Sequence, residues 1–198
     1  MYKIVRATIC RACGGNDLQP ILKLDEMPPG DKYAASKDEI PTDLIPSDIE
    51  ICPKCGHIQM SGSADPNYVY GSYLSRPAST NPELKKSYVE YCTDLAKLAD
   101  GGSVLEVGSN DGLFLELFKD LGVNAIGIEP AENLIQFAKK RNVQSINDFV
   151  CEESTEMAKN IIGNPSVILS NHSFSNVVDI KEWASCLSKV LNDDGYLV

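Results

Sequence analysis

The sequence predicts an α/β chain in two parts, a small cysteine-bearing module followed by an open parallel sheet with helices on both faces. Residues 1 to about 60 are rich in turn formers ("EMPPGDKY", "EIPTDLIPSD") and weak in periodicity. From Val104 onward, short β-branched runs alternate with helical patterns, which requires parallel strands and right-handed crossovers. Two C-x-x-C pairs, Cys10/Cys13 and Cys52/Cys55, both lie in the first part. The expected division is a module over 1–62, a linker and helix over 63–100, and the sheet domain over 101–198.

The linker helix has its own start and stop signals. Asn81 is placed to cap it, Pro82 to open it and Glu83 to supply a first-turn acid. Leu84, Tyr88, Tyr91, Leu95 and Leu98 repeat at helical spacing up to Gly101-Gly102. The sheet domain then reads as a strand (Val104–Val107), a helix (Asp111–Leu121, with Leu113, Phe114, Leu117 and Phe118 inward) and a Gly122 cap. A strand (Ala125–Glu129), a helix (Ala131–Arg141), a short strand near Val143–Ile146 and a helix (Glu153–Ile162) follow. A strand (Val167–Asn171), a helix (Ile180–Leu191) and the turn "NDDG" lead to a last strand opening at Tyr196, where the sheet is expected to be cut short.

With 198 residues and 43% hydrophobic content, the chain can bury a real core. No apolar run reaches the roughly 20 residues a spanning helix needs, and the N-terminus lacks a signal-peptide pattern. The expectation is a cytoplasmic protein with no membrane partner. A net charge of -10 argues against binding a phosphate backbone, so no nucleic-acid partner is expected. Seven cysteines, an odd number in a long chain, do not form a disulfide framework. Cys92, Cys151 and Cys186 stand alone in apolar patterns and are expected to be buried thiols.

The paired cysteines suit a tetrahedral zinc ion with Cys10, Cys13, Cys52 and Cys55 as ligands. A glycine after the second cysteine of each pair (Gly14, Gly56) lets backbone N–H groups turn toward sulfur. The 38 residues between the pairs imply an insert looping out. A redox C-x-x-C would be expected beside a βαβ unit, and neither pair is. Residues 1–60 carry 7 Lys/Arg against 9 Asp/Glu, which favours scaffolding over groove recognition.

The stretch "VLEVGSNDGLF" joins a strand to a helix through a glycine-bearing turn. A dinucleotide fingerprint would need glycine at 108, 110 and 113, where the chain has Gly108, Asn110 and Leu113. No Gly-Lys-Ser/Thr follows, so a P-loop is also excluded. What stands there is E-x-G-x-x-x-G (Glu106, Gly108, Gly112), with Glu129-Pro130 ending the next strand 21 residues after Gly108. This arrangement fits S-adenosylmethionine. The loop Gly108, Ser109, Asn110, Asp111, Gly112 passes under the methionine end, and Glu129 takes both ribose hydroxyls. After the third strand, Asp148 is offered to the adenine amino group and Phe149 as a ring wall. Asn171 closes the fourth strand beside the same crevice.

The order "ICPKCGHIQM", "SYLSRPAST", linker helix, "VLEVGSNDGLF", "IGIEPAENL" and "VILSNHSFSNVVDI" resembles the sugar-nucleotide C-methyltransferases of deoxysugar biosynthesis, the type that makes branched sugars such as mycarose. The resemblance implies a four-cysteine zinc module before a Rossmann-like class I methyltransferase domain, and a nucleoside-diphosphate 4-keto sugar methylated at C3. Tyr73 matches the family's early tyrosine, a donor to the enolate oxygen. Where many members carry a histidine after the fourth strand this chain has Asn176, which can orient substrate or donate but cannot take a proton. His172 is the alternative base, although beside Ile168–Leu169 a packed structural imidazole is expected. The family continues into a further domain with a Tyr-His-Glu-His stretch thought to supply the base, and the present sequence is expected to lack it. Rival readings are a zinc-finger RNA methyltransferase, which would want tighter spacing and basic character, and a non-catalytic cofactor-binding module.

Overall fold

A computed structural model describes residues 3–30, 33–40, 43–73 and 82–198, with only the backbone given for Pro82 and Leu84. The capping role expected of Asn81 lies outside the described residues. The chain forms two compact units, residues 1–71 with 178–181, and residues 72–177 with 182–198.

The first unit is built from short antiparallel strands. Strand β1 (Ile4–Arg6) pairs with β5 (Gly62–Ala64), and β2 (Gln19–Leu22), β3 (Ile49–Ile51) and β4 (Ile58–Met60) form a three-stranded sheet in that order. Helix α1 (Pro66–Tyr70) starts on an Asp65 carboxylate that accepts the Asn67 N–H at 2.9 Å. Among the described residues few large side chains are buried here, and Ile21, Leu22, Ile58 and Met60 are exposed. So small a core leaves much of the folding energy to be found elsewhere.

The second unit is a five-stranded, wholly parallel sheet in the order β10-β9-β6-β7-β8. Its elements are α2 (Pro82–Ala99), β6 (Val104–Val107), α3 (Leu113–Asp120), β7 (Ala125–Ile128), α4 (Glu132–Lys140) and β8 (Ser145–Ile146). Helix α5 (Glu152–Ile162), β9 (Val167–Leu169), α6 (Ile180–Val190) and β10 (Tyr196–Leu197) complete it. The alternation read in the sequence is therefore present, with β6 at its expected bounds and β7, β8 and β9 each a residue or two shorter than expected.

Period-two alternation divides the core between the faces. Leu105, Val107, Ile126, Ile128 and Ile168 pack with Ala158 and Ile162 of α5 and with Trp183, Leu187 and Val190 of α6. Val104, Val167 and Leu169 pack with Cys92, Leu95 and Ala99 of α2 and with Leu113, Phe114, Leu117 and Phe118 of α3. Three expectations are corrected. Leu98 is exposed, because the buried stripe of α2 runs through Tyr88, Cys92, Leu95 and Ala99 and leaves Leu98 beside it. Helix α3 starts two residues later than expected, with Gly112 as its N-cap. Cys151 is only half-buried and caps α5, its sulfur accepting the Ser154 N–H while Ser154 Oγ accepts the Cys151 N–H. Cys92 and Cys186 are buried as expected.

The parallel neighbours β6 and β9 are followed by strands on opposite sides, β7 and β8 after β6 and β10 after β9, so the crevice at their carboxyl ends is the switch point where such sheets hold ligands.

Candidate functional site

The first cluster is the four cysteines. Each pair lies in a tight knuckle of the same construction: Gly14 N–H donates to Cys10 O and Gly56 N–H to Cys52 O, both at 2.8 Å. Gly14 and Gly56 have φ of +73° and +75°, the left-handed region that only glycine enters without cost. The turn at Gly14 brings the Gly15 N–H onto Cys13 Sγ at 3.4 Å, a backbone donor to sulfur as expected of the knuckle. Buried Gln59 ties the first knuckle to β4, since its Oε1 accepts the Arg11 N–H and its Nε2 donates to Ile9 O.

All four sulfurs lie within 4.8 Å of one another, and Cys10–Cys55 and Cys13–Cys52 are each 3.6 Å apart. Zn–S bonds of about 2.3 Å in a tetrahedron place sulfurs about 3.8 Å apart, so the four thiols fit zinc. They also titrate as a group. Burial works to raise the Cys10 thiol, but N–H groups of Cys13 and Ala12 outweigh it and bring it down to about 7. The His57 N–H works to lower Cys55, and the sulfurs of Cys13, Cys10 and Cys52 push it up to about 12.

The second cluster lies at the carboxyl ends of β6, β7 and β9. The loop after β6 holds Gly108, Asn110 and Gly112 at φ of +73°, +51° and +77°. The glycines are demanded first by protein neighbours. A Cβ on Gly108 would lie 2.9 Å from Ser173 Cβ, and one on Gly112 would lie 2.8 Å from Val143 Cγ2 and 3.1 Å from Ala138 Cβ. Ser109 is turned away from the crevice, its hydroxyl 2.7 Å from Ser145 Oγ. Glu129 spans the loop and the next helix, accepting the Asn110 N–H at 2.8 Å and the Ala131 N–H at 2.9 Å. Asn147, which the sequence reading passed over, donates to Glu129 O and Pro130 O and steadies that turn. Asp148 is exposed and accepts the Phe149 N–H, with Phe149 half-buried beside it.

Three carboxylates converge under this loop. Asp111 is fully buried and meets Arg141 at 3.1 Å. Burial drives the Glu106 carboxyl well above its usual range, helped by the charges of Glu129 and Asp111. Burial also raises Glu129, against the lowering effect of the Ala131 and Asn110 N–H groups. Glu106 Oε2 is buried without a hydrogen-bond partner among the described residues. A buried acidic cluster with an unsatisfied oxygen suits a ligand that brings positive charge and an N–H donor.

The cluster has a measurable signature in the ligand-free protein. Because the folded Glu106 pKa exceeds its unfolded value, its contribution to stability is complete below the unfolded value. That contribution is lost as pH rises through the folded one. Glu106→Gln is therefore expected to raise Tm at pH 8 and to leave it unchanged at pH 4. Thermal melts across pH check this. An equal Tm difference at both pH values would mean that Glu106 is not the titrating group.

The loop after β9 carries the remaining candidates. Asn171 Oδ1 accepts the hydroxyl of Tyr91 on α2 at 3.2 Å, and Ser173 Oγ donates to Val107 O at 2.9 Å. Asn176 donates to His172 O at 3.2 Å and is exposed. His172 is exposed as well and has φ of +55°, which overturns the packed imidazole expected from its apolar neighbours. The left-handed turn carries the ring off the strand line. Tyr73 is held by Asn133, with Asn133 Oδ1 accepting its N–H and Asn133 Nδ2 donating to its carbonyl. The glycine loop, Glu106, Glu129 and Asp111 are thus brought together. Asn171 lies at the switch-point end, while Tyr73 is held by Asn133 and Asp148 by its own turn.

Among the described residues no helix is long and apolar enough to cross a membrane. A family model described as a zinc binding domain matches residues 10–70. The chain is 28% identical over 190 residues to the C-methyltransferase NovU of Streptomyces niveus, covering 94% of this chain and 45% of that protein. The chain thus spans less than half the length of this curated relative. A solved SAM-dependent methyltransferase from Archaeoglobus fulgidus is 19% identical at a TM-score of 0.48, covering 57% of this chain and 51% of that one. DesVI of Streptomyces venezuelae is 18% identical at a TM-score of 0.44, over 57% and 50%. The model described as a methyltransferase domain matches residues 81–198, more than half of the sequence and all of the crevice around Glu106 and Glu129, and the chain belongs to that family.

Proposed function

We propose that this chain is the zinc- and donor-binding part of an S-adenosylmethionine-dependent C-methyltransferase acting on a nucleoside-diphosphate 4-keto deoxysugar in the cytoplasm. The observation that carries the reading is a likeness to the C-methyltransferase NovU running through both the cysteine module and the methyltransferase domain, over 94% of the chain. In this reading residues 1–62 form the zinc module, 63–100 the linker and helix, and 101–198 the donor domain. S-adenosylmethionine, when bound, supplies an electrophilic methyl group on a positively charged sulfur.

The protein's own residues bind and orient. Glu129 accepts the ribose hydroxyls, and Glu106 gives the methionine ammonium the partner its buried oxygen lacks. Asp148 and Phe149 receive the adenine. A ketone made acidic at its α-carbon needs hydrogen bonds on the developing enolate oxygen, and Tyr73 and Asn176 are the donors assigned to it. Asn171 lines the crevice beside the reacting carbon. His172, exposed on the β9 loop, is the imidazole available as proton acceptor.

Calorimetric titration with S-adenosylhomocysteine tests the donor site. Glu129→Ala is expected to weaken binding by about 1.5–3 kcal/mol, roughly 10- to 150-fold, the range for hydrogen bonds to a charged group. NAD binding as tightly as S-adenosylhomocysteine would show that the wrong nucleotide has been assigned.

A further inference from the structure

Arg141 follows the last turn of α4, and a basic residue there ordinarily serves only the helix dipole. Here the whole guanidinium is aimed at the glycine loop region. Its Nε donates to Asp111 O at 2.9 Å, its Nη2 meets Asp111 Oδ2 at 3.1 Å, and its Nη1 meets Glu116 Oε2 at 2.6 Å. The side chain is 18% exposed and that of Asp111 0%. A planar fork of this kind fixes direction as well as charge.

We propose that Arg141 is a positioning residue for the methyl donor, holding the Asn110–Asp111 turn in the shape that the donor meets. The inference rests on the donor site proposed above. Asn110 has φ of +51°, a left-handed turn that asparagine tolerates better than most residues and whose orientation is then set by its bonds to the rest of the fold. Within the turn, Asp111 N–H donates to Asn110 Oδ1 at 2.8 Å and Gly112 N–H to Ser109 O at 2.9 Å; from outside it, Glu129 accepts the Asn110 N–H at 2.8 Å and Arg141 donates to the carbonyl of Asp111, the next residue, at 2.9 Å. The two outside bonds anchor both ends of the Asn110–Asp111 segment to the fold. Without Arg141, the buried Asp111 carboxylate would face Glu106 and Glu129 with less compensation, and the turn would be free to relax away from Glu129. The donor would then have to reorder the loop as it binds, and affinity falls by that cost.

The test compares three variants by circular dichroism, Tm and calorimetric titration with S-adenosylhomocysteine. Arg141→Ala is expected to raise the Kd of folded protein by tenfold or more. Arg141→Lys should fall between, because one ammonium cannot serve the Asp111 carbonyl and both carboxylates at once. Lys119→Ala cuts a different link near the same helix end, the 3.1 Å bond from Lys119 Nζ to Asn142 O, which does not touch the loop. It is expected to leave Kd within twofold. Loss of Tm with unchanged Kd in Arg141→Ala, or equal weakening by Lys119→Ala, would overturn the proposal. If the alanine variant fails to fold, a wild-type Kd in Arg141→Lys would overturn it equally. Failure of the wild-type protein to bind S-adenosylhomocysteine would instead remove the donor site on which the inference rests.

Discussion

Cys52→Ser is expected to abolish metal binding and unfold the first unit, while leaving the second unit's melting transition in place. The wild-type protein should carry about one equivalent of zinc per chain. Among the described residues the first unit buries few large apolar side chains and depends on two knuckles whose four sulfurs meet within 4.8 Å. Zinc binding in such modules supplies on the order of 10 kcal/mol of folding energy, more than a core this small offers. Both hydrophobic clusters of the second unit are made of its own residues, so its transition should persist. Metal analysis combined with hydrogen exchange resolved by residue distinguishes the outcomes. Metal-free protein with full protection over residues 3–71 would end the zinc reading.

Gly108→Val is expected to destabilise the second unit by about 2–4 kcal/mol and to raise the Kd for S-adenosylhomocysteine by more than about 100-fold. Placing a β-branched residue at φ +73° costs roughly 1–3 kcal/mol, and forcing a side chain into filled space costs a similar amount. The obstacle is Ser173, whose Cβ would lie 2.9 Å from the new carbon and whose hydroxyl donates to Val107 O. Pairing Gly108→Val with Ser173→Gly should recover the packing share of the stability loss and none of the backbone share. Chemical denaturation measures the first quantity and calorimetry the second. A valine variant that binds within threefold of wild type would show that the loop does not lie against the ligand.

Much of the site was legible because its chemistry is local. The four cysteines announce themselves by spacing, and Glu106, Gly108, Gly112 and Glu129 stand at fixed offsets from strand ends that β-branched runs already mark. The reason for the glycines was read only in part. Spacing suggested room for a ligand, whereas Ser173, Val143 and Ala138 fill the space that a Cβ would need. His172 was misjudged because apolar neighbours in sequence do not reveal a left-handed turn that lifts the ring into solvent.

By itself, then, the sequence determined the element order, the parallel sheet, the paired cysteines of the first unit and the acid-and-glycine pattern at the sheet's switch point. Each of these follows from residue types at short, regular separations. The tertiary structure alone decided which distant groups hold those elements in place. Arg141 reaches Asp111 across 30 residues, Tyr91 reaches Asn171 across 80, and Gln59 clamps a knuckle 48 residues away. It also decided that Glu106 keeps a buried oxygen without a partner among the described residues. A carboxylate's partners and its desolvation depend on what folding brings around it, and no periodicity along the chain encodes that.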